Sequence, residues 1–139
     1  MRIAVLGAGS HSTNNHGPAL QALKAKFGDE IELAAVCDVA ASKAREFAGR
    51  FGFASVYDSV EAMFAYEKLD GVVAVTPIDL TGQVVGELLS HPVRLLLEKP
   101  PGKDSGEARQ LLGIAYLASC RGGGGDPTFS RRIAEYALL

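Results

Sequence analysis

The feature that most constrains this chain is a strict alternation: short apolar runs of strand length, each followed by a stretch whose apolar residues recur at helical spacing. The runs are residues 3–6, 31–37, 54–57, 71–75 and 93–97. Between the first two, Ala19, Leu20, Leu23 and Phe27 repeat behind Pro18, and after the second, Ala44, Phe47, Ala48 and Phe51 mark one face ending at Gly52. Val60, Met63 and Phe64 follow Asp58 and Ser59, either of which can cap a helix, with Glu61 placed to complete a capping box on Asp58. Val84, Val85, Leu88 and Leu89 form a fourth helical face. A fifth opens at Asp104 with Glu107 three residues on and should bury Ala108, Leu111, Leu112 and Ala115. Strands that alternate with helices need crossover connections, and such crossovers are right-handed almost without exception. The expected fold is therefore α/β: a doubly wound, mostly parallel, Rossmann-like sheet in a single domain.

A chain of 139 residues is the length of one such domain. Residues 1–120 carry the pattern, and residues 121–139 break it. Four glycines from Gly122 to Gly125 and then Asp126-Pro127 read as a linker, and the remainder as a short tail that either docks as a helix or stays mobile. A net charge of −2 provides no field suited to nucleic acid or to an anionic membrane. Residues 3–6 are too few for a secretory signal, and no apolar stretch is long enough to span a bilayer, so a cytoplasmic protein is expected. Cys37 and Cys120 read as two reduced thiols. His11, His16 and His91 lack the spacing of a helical metal pair, so no metal site is expected.

Gly7-Ala8-Gly9 follows the first run at once. The first glycine permits a tight turn and the second a close backbone approach to a pyrophosphate. Ser12 stands where a third glycine is usual, and a loop is expected to run through Thr13, Asn14, Asn15 and His16 to Gly17-Pro18. Ser10, His11 and Ser12 are the candidates to meet the phosphates, aided by the N-terminus of the helix that follows. Asp38 ends the second run, where a carboxylate can accept hydrogen bonds from both adenine-ribose hydroxyls; the competing reading is a cap for the next helix. No arginine follows it, which favours NAD, while Lys43 leaves NADP open. Thr76 and Pro77 end the fourth run, Asp79 and Thr81 read as caps of the next helix, and Glu98 and Lys99 end the fifth. Val93–Leu97 reads as a strand covered on both faces, and a charged pair before two prolines at its carboxyl end is costly to keep there without a use.

Together these pieces resemble the N-terminal domain of the glucose-fructose oxidoreductase, inositol dehydrogenase and rhizopine-catabolism family (Gfo/Idh/MocA). The text that carries the resemblance is VLGAGSHS with NHGPAL, VCD at Asp38, VAVTP at Thr76-Pro77 and LLLEKPPG around Lys99, over about residues 1–118. The resemblance implies an NAD(P)-dependent oxidoreductase acting on sugars, polyols or related hydroxylated compounds. Lys99 would lie near the nicotinamide and hydrogen-bond the alcohol oxygen, with Glu98 orienting it. Thr81 stands where relatives often carry a histidine, Phe129 to Arg132 represent the family's next strand, and the family's second, substrate-binding domain has no counterpart in these residues.

Two functions from different classes follow: a cofactor-binding domain of an oxidoreductase, truncated and weakly active or inactive alone, or a non-catalytic dinucleotide-binding, redox-sensing or partner-dependent module. The implied partners are a dinucleotide and, once a second domain or subunit is supplied, a small hydroxylated substrate. An uncovered sheet edge would favour homo-oligomers.

Overall fold

The computed structural model describes residues 1–121, with side chains through Ile114; the expectations for Ala115, Cys120 and residues 122–139 lie outside them. The elements are β1 (Arg2–Leu6), α1 (Gly17–Phe27), β2 (Glu32–Cys37), α2 (Ala41–Phe51), β3 (Ser55–Tyr57), α3 (Val60–Tyr66), β4 (Gly71–Ala74), α4 (Ile78–Leu88), β5 (Arg94–Leu97) and α5 (Ser105–Arg121). The chain forms two compact units, Met1–Val75 with Val93–Leu97, and Thr76–Pro92 with the chain from Glu98 onward.

The first unit holds one sheet, all its neighbours parallel, in the order β3-β2-β1-β4-β5. From β1 the chain winds outward through β2 and β3, then crosses back to place β4 on the other side of β1. The strand order therefore reverses between β1 and β4, where doubly wound sheets open their crevice. Residues 3–6 of β1 and 33–37 of β2 are all buried, as near-continuous apolar runs in a parallel sheet should be. Phe47, Phe51 and Phe53 form the aromatic part of the core, with ring centroids 4.7 Å and 5.7 Å from Phe47. Gly17 lets α1 approach α2 closely: a Cβ there would lie 2.4 Å from the Phe51 ring.

Two local expectations change, and one pair of alternatives is decided. Among the described residues β5 is the last strand of the sheet, and one of its faces is open rather than both covered; Leu96 is 60% exposed while Leu95 and Leu97 are half-buried. A run of leucines looks the same whether a sheet continues past it or stops. In α1 the buried positions are Gly17 and Leu20, whereas Ala19 is exposed and Phe27 is 42% exposed. For α3, Ser59 is the cap: its hydroxyl oxygen accepts from the Ala62 N–H at 3.2 Å.

In the second unit, α4 and α5 pack together, with Val85, Leu88 and Leu111 buried and Ala108 and Leu112 half-buried. The expected cap at Asp104 forms, its carboxylate accepting from the Glu107 N–H at 2.9 Å. That bond holds the Asp104 carboxyl below its ordinary range. The Glu107 side chain accepts from the Lys103 N–H at 2.7 Å, one residue short of the reciprocal bond of a capping box. Among the described residues no helix is long and apolar enough to cross a membrane.

At the amino edge of the sheet, Arg2 ties four segments together. Its guanidinium bonds Glu32, Glu67 and the Lys68 carbonyl, and its backbone N–H donates to Asp70 at 2.6 Å. Tyr57 donates its phenolic hydrogen to Glu67 at 2.9 Å. Burial pushes the Glu67 carboxyl up, but the bonds from Tyr57, Ser55 and Arg2 outweigh it and hold the pKa below its ordinary 4.5. A depressed carboxyl contributes stability in full above its unfolded pKa and loses it as pH falls through the folded value. Glu67→Gln should therefore cost about 1–2 kcal/mol at neutral pH and progressively less once the pH drops below about 4. Urea denaturation of both proteins across that range checks this; a gap that does not shrink in acid would assign the loss to packing.

Candidate cofactor site

The site is built at the carboxyl ends of β1 and β2. Gly7 leaves β1 with φ +94°, a conformation that side chains rarely adopt, and a Cβ on it would lie 2.0 Å from the Val75 carbonyl oxygen. Its N–H donates to the Cys37 carbonyl at 2.8 Å, while the Val75 N–H donates to Leu6 at 2.8 Å. The turn is thus wedged between the ends of β2 and β4. At Gly9, by contrast, a Cβ would meet nothing within 4 Å. Its backbone faces open space, as a close approach by a ligand requires.

Asp38 fastens this turn to the next element. One carboxylate oxygen accepts from the Ala8 N–H at 2.7 Å and the other from the Ala40 N–H at 2.8 Å, just before α2. Asp38 thus ties the glycine turn to the residue before α2, whose cap is Ala40 rather than Asp38. Each oxygen keeps a second lone pair free to accept.

The expected loop after Gly9 is helical. Residues Ser12–His16 form a π-helical turn that runs into α1, and the wide repeat brings the His11 and His16 rings to 5.5 Å, edge to face. Ser12, in the third-glycine position, is fully buried and donates its hydroxyl hydrogen to the Gly7 carbonyl. The third glycine's packing role falls to Gly17, five residues later. Ser10 and His11 are exposed at the head of this turn.

Beside the glycine turn lies a cleft of about 260 Å³ that sequence reasoning did not anticipate, lined by Gly9, Ser10 and Thr13 on one wall and by Lys43, Glu46 and Arg50 of α2 on the other. The signal was present as charges at helical spacing, but such a pattern equally describes an ordinary solvated face.

In the second unit, Thr76 and Pro77 follow β4. The Thr76 and Thr81 hydroxyls lie 3.2 Å apart, and Thr81, buried, also donates to the Pro77 carbonyl at 3.2 Å. Thr81 therefore closes the start of α4 rather than facing a ligand. Glu98 and Lys99 directly follow β5; the Glu98 carboxylate accepts from the backbone N–H of Lys99 at 3.1 Å, so its hold on Lys99 is through the main chain. Lys99 is exposed, and its bond to Pro100 is cis.

A model of an oxidoreductase family, NAD-binding Rossmann fold, matches residues 1–121. The chain belongs to the Gfo/Idh/MocA family. It is 30% identical over 115 residues to D-glucoside 3-dehydrogenase of Escherichia coli K12, covering 83% of this chain and 31% of that protein. Among solved structures it is similar to the WlbA dehydrogenase from Chromobacterium violaceum, in complex with NADH and UDP-GlcNAcA, at 27% identity and a TM-score of 0.72, covering 85% of this chain and 32% of the other. A 3-ketoreductase from Actinomadura kijaniata, in complex with NADP and TDP-benzene, shares the fold at 24% identity and a TM-score of 0.73, over 86% and 35% of the two chains. The chain thus spans about a third of the length of these relatives, and what it represents of them is the NAD-binding Rossmann domain.

The two glycines make opposite predictions for stability. Gly7→Ala combines a disfavoured φ with a collision against backbone and should cost roughly 2–4 kcal/mol or prevent folding. Gly9→Ala should stay within about 1 kcal/mol of the parent. Urea unfolding midpoints test the pair, and an equally damaging Gly9→Ala would refute the open-face geometry.

Proposed function

We propose that this chain is the dinucleotide-holding part of an oxidoreductase that passes hydride between nicotinamide and a sugar, polyol or similar hydroxylated compound. The observation that carries the reading is the Gly7 turn, held against Val75 and fastened through the Ala8 N–H to Asp38. When bound, the nicotinamide supplies the hydride acceptor or donor. Backbone at Gly9, Ser10 and His11 receives the pyrophosphate, while Gly7, bonded to Cys37, and Ser12, bonded to Gly7, shape the turn beneath it. Asp38 takes the adenine-ribose hydroxyls on its remaining lone pairs. Thr76 and Pro77, at the end of β4, flank the cofactor.

Lys99 is the group we assign to chemistry. An ammonium at the substrate oxygen stabilises the alkoxide charge that develops as hydride leaves carbon, and Glu98 fixes the backbone from which the lysine extends. Domain limits at about residue 120, a cytoplasmic setting and a substrate pocket supplied by a further domain or subunit belong to the same proposal.

Titrating the full chain with NADH and following nicotinamide fluorescence should give saturable binding; no binding of NADH or NADPH at millimolar concentration would end the reading. Polyol oxidation by the chain alone should be slight. Where turnover is measurable, alone or with a co-purifying subunit, Lys99→Ala should lower kcat by roughly a hundredfold or more. Turnover that survives Lys99→Ala would remove the lysine from the chemistry. Association through the β5 edge, where Leu96 is 60% exposed, is also expected. Light scattering that shows only monomer at high concentration would contradict that part.

A further inference from the structure

Residues five apart project in well-separated directions around an α-helix, which is why the spacing of His11 and His16 argues against a metal pair in the sequence. A π-helical turn removes that objection. Its hydrogen bonds join i to i+5, so residues five apart follow one another on a single face. The turn Ser12–His16 has this repeat, the Gly17 N–H donating to the Ser12 carbonyl, and His11 stands at its start. The two imidazoles accordingly come together: ring centroids lie 5.5 Å apart at 67°, and a nitrogen of one ring lies within 4.8 Å of a nitrogen of the other. His16 is half-buried and His11 is exposed.

We propose that His11 and His16 form a two-imidazole site for a divalent transition ion of the Zn²⁺, Ni²⁺ and Cu²⁺ class. Imidazole nitrogen suits these ions, whereas Mg²⁺ and Ca²⁺ call for oxygen ligands. Metal–nitrogen bonds of about 2.0–2.1 Å set two nitrogens on one ion roughly 3 Å apart. The exposed His11 ring closes the remaining distance by turning about its own side-chain torsions, while the half-buried His16 keeps its place. Asn15 supplies orientation, its amide lying 3.3 Å from His11 Nδ1 and donating to the His11 carbonyl at 3.1 Å. A polar neighbour on one ring nitrogen directs the other, Nε2, to the ion. Two protein ligands make an exchangeable site, with water in the remaining positions, rather than a closed structural one. The site follows from the geometry of the turn and does not rest on the dinucleotide reading.

The test titrates the full chain, carrying no polyhistidine tag, with Zn²⁺, Ni²⁺ and Cu²⁺ by calorimetry, and with Mg²⁺ as the oxygen-seeking control. Saturable binding is expected for the three transition ions, tightest for Cu²⁺, and none for Mg²⁺. Because the second imidazole binds intramolecularly, His11→Asn and His16→Asn should each weaken Ni²⁺ binding about tenfold or more. His91→Asn, which removes the chain's remaining histidine, should leave it unchanged. In the parent protein, substoichiometric Ni²⁺ or Cu²⁺ should broaden the imidazole proton resonances of His11 and His16 ahead of those of His91, a readout that depends on no variant folding. A chain that binds none of the three ions saturably, binding that survives either substitution at full strength, or broadening that falls equally on His91 would overturn the proposal. NADH binding tests the dinucleotide reading separately, so either can fail without the other.

Discussion

The absence of a side chain at Gly7 is the constraint on which the rest of this structure depends. With 2.0 Å between an ideal Cβ and the Val75 carbonyl, no other residue lets the end of β1 turn away where the ends of β2 and β4 converge. Because the strand order reverses between β1 and β4, the turn falls at the point where a parallel sheet opens. A steric requirement of the fold and the floor of the proposed cofactor site thus fall on one residue. Asp38 extends the same economy, since the carboxylate that orients Ala8 also holds Ala40, the residue before α2.

The alternation of runs and helical faces was legible in the sequence because parallel strands are buried on both sides and their apolar pattern is nearly continuous. β1 and β2 show that pattern with every inner residue buried. β5 shows the limit of the rule. Its leucines carry no mark of whether another strand follows, and Leu96 is largely exposed. The positions of Gly7 and Asp38 were legible for a different reason: each is a residue type with a distinctive backbone or charge requirement at the end of a strand.

The coil of residues 12–16 and the inward turn of Ser12 were hidden from the sequence for a reason that is geometric rather than chemical. Counting three residues from Gly9 assumes an α-helical start, and a π-helical turn adds length before α1 begins. Ser12 then points inward to the Gly7 carbonyl, while the close packing that a third glycine would provide moves to Gly17, under Phe51. The cleft beside Lys43 was hidden by the same insertion. Its wall of Ser10 and Thr13 exists only because residues that read as loop are coiled against α2.

The two ends of the sheet are secured by different physics, and that separation matters for how the fold can vary. At the amino edge, Arg2 gathers Glu32, Glu67 and Asp70 through charge-assisted bonds, with Tyr57 completing the set. These bonds depend on protonation state and weaken in acid. At the carboxyl edge, the Gly7 turn is wedged by sterics and main-chain bonds, to which the Asp38 carboxylate adds its bond from Ala8. A chain arranged this way can lose the amino-edge bonds as pH falls while the steric wedge at Gly7 remains. It can also change the charged residues of α2 without disturbing the turn, because Lys43 and Arg50 contribute no ion pair to the described fold. The charged face of α2 is therefore free to vary, whereas Gly7 is not free to change at all.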